Sequence, residues 1–255
     1  MKTFTDGFFS IDPINGFLPV KEPLLILPKK YALLQNLIDE MPIKKRDGSK
    51  GLLSKENAFE EATLMLPNFL EEVKKEKDSF ILAVLYRSYS FVTSAYTLAK
   101  SHHTYLKTGK YGKARERLPK NIAQPYVAVS EKLEVFPWLD YHYAYSLGNY
   151  HKIDKSKGFK WTNLAMAAKF SGMDDERGFI MLHVDINQYS PDMVKSVFGI
   201  TQCTENPPKL AENIALLGTT LNRMNSRRKL MWEASRWKHY NDFRVFIMGV
   251  KGNDD

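Results

Sequence analysis

An all-α fold is predicted by three features of this 255-residue sequence. Apolar residues recur at steps of three and four, most plainly at Leu210, Ile214, Leu217, Leu221 and Met224, a spacing that sets them on one helical stripe. Sustained alternation of apolar and polar residues, the mark of half-buried strands, is scarce. The apolar stretches are separated by polar breaks containing Gly or Pro, such as IKKRDGSKGLLS at 43–54, which suit connections between helices. The length gives one large domain or two modest ones an ample core.

Each element follows from its local pattern. Residues 1–28 are rich in Pro, Gly and Asp and are expected to drape irregularly over the helical body. A short amphipathic helix is predicted over 31–39, with Leu33, Leu34, Leu37 and Ile38 on its stripe. After the 43–54 loop a helix starts at Lys55, with Phe59, Ala62, Leu66, Leu70 and Val73 inward, and Pro67 kinks or splits it. The stretch 80–99 is long enough to cross a bilayer but carries Arg87 at its middle. A charge there is costly in lipid, so a buried helix in a bundle is predicted and no membrane span. Residues 101–117 are basic and Gly-punctuated, hence exposed. Helix resumes after Pro125, and Pro137 opens another over 138–150. A short helix is predicted over 161–170, ended by Ser171–Gly172. Asp174, Asp175 and Glu176 place three acids at the start of the next helix, where the macrodipole favours them. The 210–224 helix runs towards Trp237. The apolar tail at 243–249 includes a short run, 245–248, that suits either helix or strand.

Composition narrows the function. Lys and Arg total 37 against 29 acids, a net charge of +8. The basic residues are scattered and interleaved with acids, as at Lys44–Lys45–Arg46 and Arg227–Arg228–Lys229. No nucleic-acid module accompanies them, so a lysine-rich surface is expected and no nucleic-acid partner. The single Cys203 cannot form an internal disulfide, which fits a reducing compartment such as the cytoplasm. The N-terminus has no continuous apolar run of signal-peptide type. Walker, GxGxxG, HExxH, CxxC and nucleophile-elbow motifs are all absent.

His183 lies one helical turn after Phe179, so the two project from one face. A histidine among apolar neighbours is usually a satisfied core residue. Asp185 follows two positions later, but residues so spaced on a helix point apart, so His183 and Asp185 are not read as a metal pair.

Several stretches together resemble the indoleamine 2,3-dioxygenase family: GFLP (16–19), EPLLILP (22–28), LPKNIAQPY (118–126), VSEKLEVFPWLDYHYAYSLGNY (129–150), GFIMLHVDI (178–186) and HYNDFRVFIMGVKGND (239–254). The resemblance is collinear over nearly the whole chain. It implies an oxidoreductase holding haem b that uses O2 to cleave the indole C2–C3 bond of L-tryptophan, or of a related indoleamine. The product would be N-formylkynurenine, and the reaction the first of the kynurenine pathway. It also implies a small N-terminal helical domain at 1–170 and the first helices of a larger haem-binding domain at 171–255. Phe179 falls where the family packs an aromatic on the indole. His183 falls where many microbial members carry a histidine that accepts the indole N–H, a donor costly to bury unpaired. Arg244 matches the arginine that binds the tryptophan carboxylate, a task suited to a planar guanidinium. Tyr145 matches a residue that reaches over the indole; Tyr141, Tyr143 and Tyr150 are expected to be packing aromatics.

The sequence departs from the family at His239, where a phenylalanine usually faces substrate, though Tyr240 keeps an aromatic beside it. It departs again at Val250, where an aromatic usually follows the glycine. The family's proximal iron ligand lies downstream of the stretch matching 239–254, and none of the six histidines here corresponds to it. Two expectations follow: a dioxygenase, represented by its N-terminal portion, or a haem-free helical relative with a binding or regulatory role.

Overall fold

The computed structural model describes residues 11–248 and is helical nearly throughout. Val250 and the glycine before it therefore lie outside the described residues. Helix α4 (Ser79–Thr108) is the axis of the fold. The Asp78 carboxylate caps its start, accepting from the Phe80 and Ile81 N–H groups. Gly109 ends it at φ +72°, a left-handed conformation in which glycine carries no steric penalty. The helix runs nine residues beyond the predicted 80–99, taking in much of the stretch expected to be exposed. Ser101, His102 and His103 are buried because the C-terminal tail packs on that turn.

Around α4 pack α1 (Ala32–Glu40), α2 (Ala58–Leu64), α5 (Lys120–Lys132), a π-helical turn (Tyr141–Leu147) and a 3₁₀ turn (Val245–Ile247). Being surrounded, α4 buries residues on every face, including Arg87. The Arg87 guanidinium donates to the carbonyls of Gly148 (2.8 Å) and Leu24 (2.7 Å), which pins the irregular N-terminal segment to the bundle. Among the described residues no helix is long and apolar enough to cross a membrane.

In α1 the buried residues are Leu34, Leu37 and Ile38, while Leu33 faces out. Pro67 splits the next helix as predicted, into α2 and α3 (Leu70–Lys75). The Asn121 amide bridges the break, donating to the Thr63 and Leu66 carbonyls that helix termination leaves open. α5 begins at Lys120, five residues before Pro125, and so encloses the proline from which helix was expected to resume.

Two predicted helices are corrected. The 138–150 segment is helical only at Tyr141–Leu147, where the coil widens to a π-helix capped by Asp140. The 161–170 segment is a 3₁₀ turn (Trp161–Asn163) followed by a strand, β2 (Leu164–Met166), which pairs antiparallel with β1 (Tyr150–Lys152). The buried Asn149 explains this pairing. Its side chain bonds both the N–H and the carbonyl of Ala168 (2.8 Å each), and its own carbonyl accepts from Ala167. An extended 165–168 is the conformation that satisfies all three groups.

The acid-led helix is α6 (Asp174–Asn187), as predicted. Next comes α7 (Ser190–Gln202), which the sequence reading did not assign, and then α8 (Pro207–Arg228). α8 rests on α6 and α7 and stops at Arg228, short of Trp237. Only Thr220 of α8 is buried; Ile214 is 54% and Leu221 47% exposed, so its apolar stripe is largely uncovered. The chain continues through α9 (Met231–Ala234) and α10 (Asn241–Arg244), and residues 245–247 resolve the tail as helical, not strand. One contiguous apolar core extends from Leu18 to Phe246.

Candidate active site

Helix α6 carries the site, and its first turn fixes everything around it. The fully buried Glu176 carboxylate accepts from the N–H groups of Phe170 (2.9 Å), Ser171 (2.8 Å) and Gly172 (3.0 Å), from the Ser171 hydroxyl (2.7 Å) and from the Tyr145 hydroxyl (3.0 Å). Asp175 takes a two-pronged hydrogen bond from Arg236, through Nε at 3.0 Å and Nη2 at 2.7 Å, and a third from the Arg236 N–H. That guanidinium holds the Asp175 carboxyl below its usual range. Gly178 faces the C-terminal segment with no space to spare: a Cβ there would meet the Ala234 carbonyl oxygen at 1.7 Å. The close backbone approach and the Arg236–Asp175 fork together press residues 234–244 onto α6.

The consequence is a continuous aromatic surface. Phe179 meets Tyr240 (5.2 Å between ring centroids), Phe243 (5.7 Å) and His183 (5.1 Å). From the π-helix, Tyr141 meets His183 edge-on at 5.3 Å and Phe179 at 6.5 Å. Arg244 lies beyond Tyr240, its guanidinium carbon 5.6 Å from the ring centroid. It is exposed and has no carboxylate partner among the described residues. His183 and Arg244, which the resemblance placed at one site, are linked through the Phe179–Tyr240 ring contact, His183 against Phe179 and Arg244 over Tyr240. That surface opens to solvent, with Tyr141 39% exposed.

His183 has a defined proton arrangement. Its Nδ1 lies 2.7 Å from the Phe179 carbonyl oxygen, which can only accept, so Nδ1 carries the proton. The Tyr141 hydroxyl oxygen, 3.2 Å away, receives the same N–H less directly. Burial lowers the His183 pKa and favours the neutral ring, against the opposing pull of the Phe179 carbonyl. Nε2 is then an unprotonated acceptor with no protein partner among the described residues. Asp185 points elsewhere, as its spacing required: it is fully buried and forked by Arg227 at 2.6 and 2.7 Å, tying α6 to α8.

Tyr145 lies deeper than the resemblance implies. It is fully buried, its ring meets Tyr141 at 5.7 Å, and its hydroxyl is committed to Glu176. Burial and that carboxylate push its pKa well up. The tyrosine that reaches His183 is Tyr141, read from sequence as a packing residue. The π-helical turn that presents it has no sequence signature. His239, at the departure from the family, pairs with Asp242 at 3.1 Å and lines a separate cleft with Arg236.

The fit to haem is one-sided. A dioxygenase iron needs one axial protein ligand and one open position. Of the six histidines, His183 belongs to the aromatic wall itself and His239 is paired with Asp242. His102 and His103 are buried in α4, His142 meets the Phe17 ring and His151 lies in β1. No group of three or more metal-ligating side chains occurs among the described residues. The wall suits one face of a flat aromatic ligand, but these residues do not complete an iron site.

The fold and this wall define an all-α protein with a solvent-open aromatic surface on one helix. The sequence model of the Indoleamine 2,3-dioxygenase family matches residues 6–255, and the chain belongs to that family. Its enzymes are haem-dependent dioxygenases. The chain is 24% identical to indoleamine 2,3-dioxygenase acdA of Aspergillus candidus over 253 residues, covering 96% of this chain and 57% of that protein. It is 25% identical to indoleamine 2,3-dioxygenase 1 of Rattus norvegicus over 142 residues, covering 54% and 35%. It is 29% identical to the Mus musculus protein of the same name over 140 residues, covering 54% and 34%. The chain thus spans little more than half the length of the fungal relative and about a third of the mammalian ones.

Proposed function

We propose that this chain forms the substrate-side wall of a haem-dependent site that opens the indole ring of L-tryptophan. The observation that carries the reading is a neutral imidazole acceptor and an unpartnered guanidinium linked through one aromatic contact, Phe179 with Tyr240. In this reading Phe179 packs on the indole and His183 Nε2 accepts the indole N–H. Arg244 takes the carboxylate through its planar fork, and Tyr240 sets the guanidinium's position. Tyr145 supports the wall from beneath, through Tyr141. Both atoms of O2 enter the product across C2–C3, so no proton need be removed and His183 acts as acceptor, not base. Haem, when bound, would supply O2 binding and activation. Residues 171–255 would then be the start of the haem-binding domain and 1–170 the smaller one, in a protein of the cytoplasm.

The test is a tryptophan titration of the haem-loaded protein completed with the family's iron-ligand region, followed in the visible spectrum. Arg244→Ala should weaken binding about a hundredfold or more, the loss of a charge-assisted fork. Unchanged affinity would remove Arg244 from the site. A second reading, a haem-free binding relative, is supported by His239, which pairs with Asp242 where the family usually carries a phenylalanine facing substrate. In that same completed protein, tryptophan binding by calorimetry with no Soret band on haem addition would establish it instead.

A further inference from the structure

Beside the aromatic surface, between the start of α6, the β1–β2 hairpin and the 42–46 loop, lies a cleft of about 670 Å³. Seven lysines and arginines line it against two aspartates, Asp174 and Asp175. Four of the cations have carboxylate partners: Lys45 with Glu40, Lys152 with Glu22, Arg177 with Asp174 and Arg236 with Asp175. The other three, Lys44, Arg46 and Lys169, have none among the described residues. Lys44 and Arg46 are exposed at the rim of the cleft and Lys169 is half-buried. Arg46 and Lys169 flank His151, whose Nδ1 is buried without a hydrogen-bond partner. A second cavity, of about 380 Å³, shares Arg46, His151, Met166 and Lys169 with the first and is lined beyond them by Asp39.

The floor of the cleft is rigid. The Ile43 and Lys44 N–H groups bond the Phe170 and Ser171 carbonyls at 2.8 and 3.0 Å. Gly172, at φ +70°, fits so tightly under this loop that a Cβ would meet the Lys44 carbonyl oxygen at 1.9 Å. Glu176 already satisfies the N–H groups of residues 170–172, so the cleft is not the outcome of a loosely held loop. Its volume falls in the range of small-ligand sites. Like charges held together in a concavity focus a positive potential, and an anion relieves their mutual repulsion. A guanidinium, two ammonium groups and an imidazole offer more donors, and more charge, than a single carboxylate can use. A tetrahedral phosphate matches them in both respects.

We propose that this cleft binds a phosphate-bearing small molecule, a phosphomonoester or diphosphate, with Arg46, Lys169, Lys44 and His151 as its ligating groups. The inference is independent of the dioxygenase reading, since none of the four belongs to the aromatic surface. The test is a calorimetric titration of the whole chain with inorganic pyrophosphate, in phosphate-free buffer at about 50 mM salt, where screening is modest. Saturable binding of one pyrophosphate is expected, weakened about tenfold or more by Arg46→Ala and by Lys169→Ala. Neither substitution breaks an ion pair, and thermal melts would verify that both variants fold. Lys110→Ala, at an exposed position just beyond α4, should leave binding unchanged. In NMR titrations the His151 midpoint should rise when pyrophosphate is bound, because the anion offsets Arg46, Arg87 and Lys169, the cations that face this ring; Glu22 opposes them in both states.

Absence of saturable binding would overturn the proposal, as would equal affinity for acetate or equal weakening by Lys110→Ala. Binding to phosphoinositide vesicles or to single-stranded DNA with none to pyrophosphate would overturn it in favour of a membrane surface or a nucleic acid.

Discussion

Replacing Glu176 with glutamine exchanges one oxygen for an NH2 group at almost constant volume. In the native chain Oε1 accepts from Phe170 N–H and the Tyr145 hydroxyl, while Oε2 accepts from Ser171 N–H, the Ser171 hydroxyl and Gly172 N–H. The amide can present its oxygen to only one set. The better choice keeps the Ser171 and Gly172 bonds and turns the NH2 towards Phe170 N–H, where two donors meet. The Tyr145 hydroxyl can rotate and become an acceptor, so its bond is not lost. What remains is one buried backbone N–H without a partner, at about 1–3 kcal/mol, plus some weakening of three bonds that no longer reach a charge. Relief from burying a carboxylate offsets part of this. A destabilisation of about 2 kcal/mol is therefore expected from urea unfolding, with an unchanged denaturant slope. Glu176→Ala leaves the whole cradle empty and should cost about 4 kcal/mol or more, a large share of a domain's margin. If Glu176→Gln unfolds within about 0.5 kcal/mol of the parent, the carboxylate does not hold this loop and the account of the site's framework is wrong.

Two further perturbations probe other parts of the frame. His102 is 2% exposed against Phe246, both ring nitrogens lack partners among the described residues, and burial pushes its pKa down to about 4. The unfolded chain protonates it near the ordinary value of about 6.5. Its neutral form therefore contributes full stability above that pH, lost as pH falls from about 6.5 to about 4, at most about 3 kcal/mol. His102→Leu should flatten this part of the stability–pH curve, and parallel curves for variant and parent would refute the assignment. Arg227→Ala leaves Asp185 buried with a charge and no cation, and should cost about 3–5 kcal/mol in chemical unfolding; a loss under about 1 kcal/mol would mean that the fork does not tie α8 to α6.

Residues whose local chemistry agreed with their tertiary role were legible from sequence. Asp174–Glu176 announced the start of α6, Pro67 its helix break, and the Leu210–Met224 spacing the helix α8. Phe179 and His183 shared a face by periodicity alone, and Asp185 was rightly turned away from them. What escaped was decided by distant partners. Ser101–His103 read as polar and exposed, yet Phe246 from the far end of the chain buries them. Residues 164–166 read as helix, and one buried amide, Asn149, makes them a strand. The fork between Arg236 and Asp175 spans 61 positions, and no periodicity reports it. The order of the tyrosines was hidden for the same reason: in an ordinary helix Tyr145 and Tyr141 would be equivalent candidates one turn apart, and the π-helical coil, set by Asp140 and the packing of α4, separates them.

That coil has a further meaning for related sequences. A π-turn accommodates one more residue than an α-turn, so a homologue shorter by one position between 141 and 145 would rewind into an ordinary helix. The Tyr145 hydroxyl on the acid of α6 would stay anchored, and the residues on either side of the deletion would keep their faces, because the wider turn had absorbed the extra position. The ring opposite the imidazole would then be whichever residue the shorter turn left at that place. Chain length across this single turn, more than the identity of any residue in it, then governs which group faces the histidine.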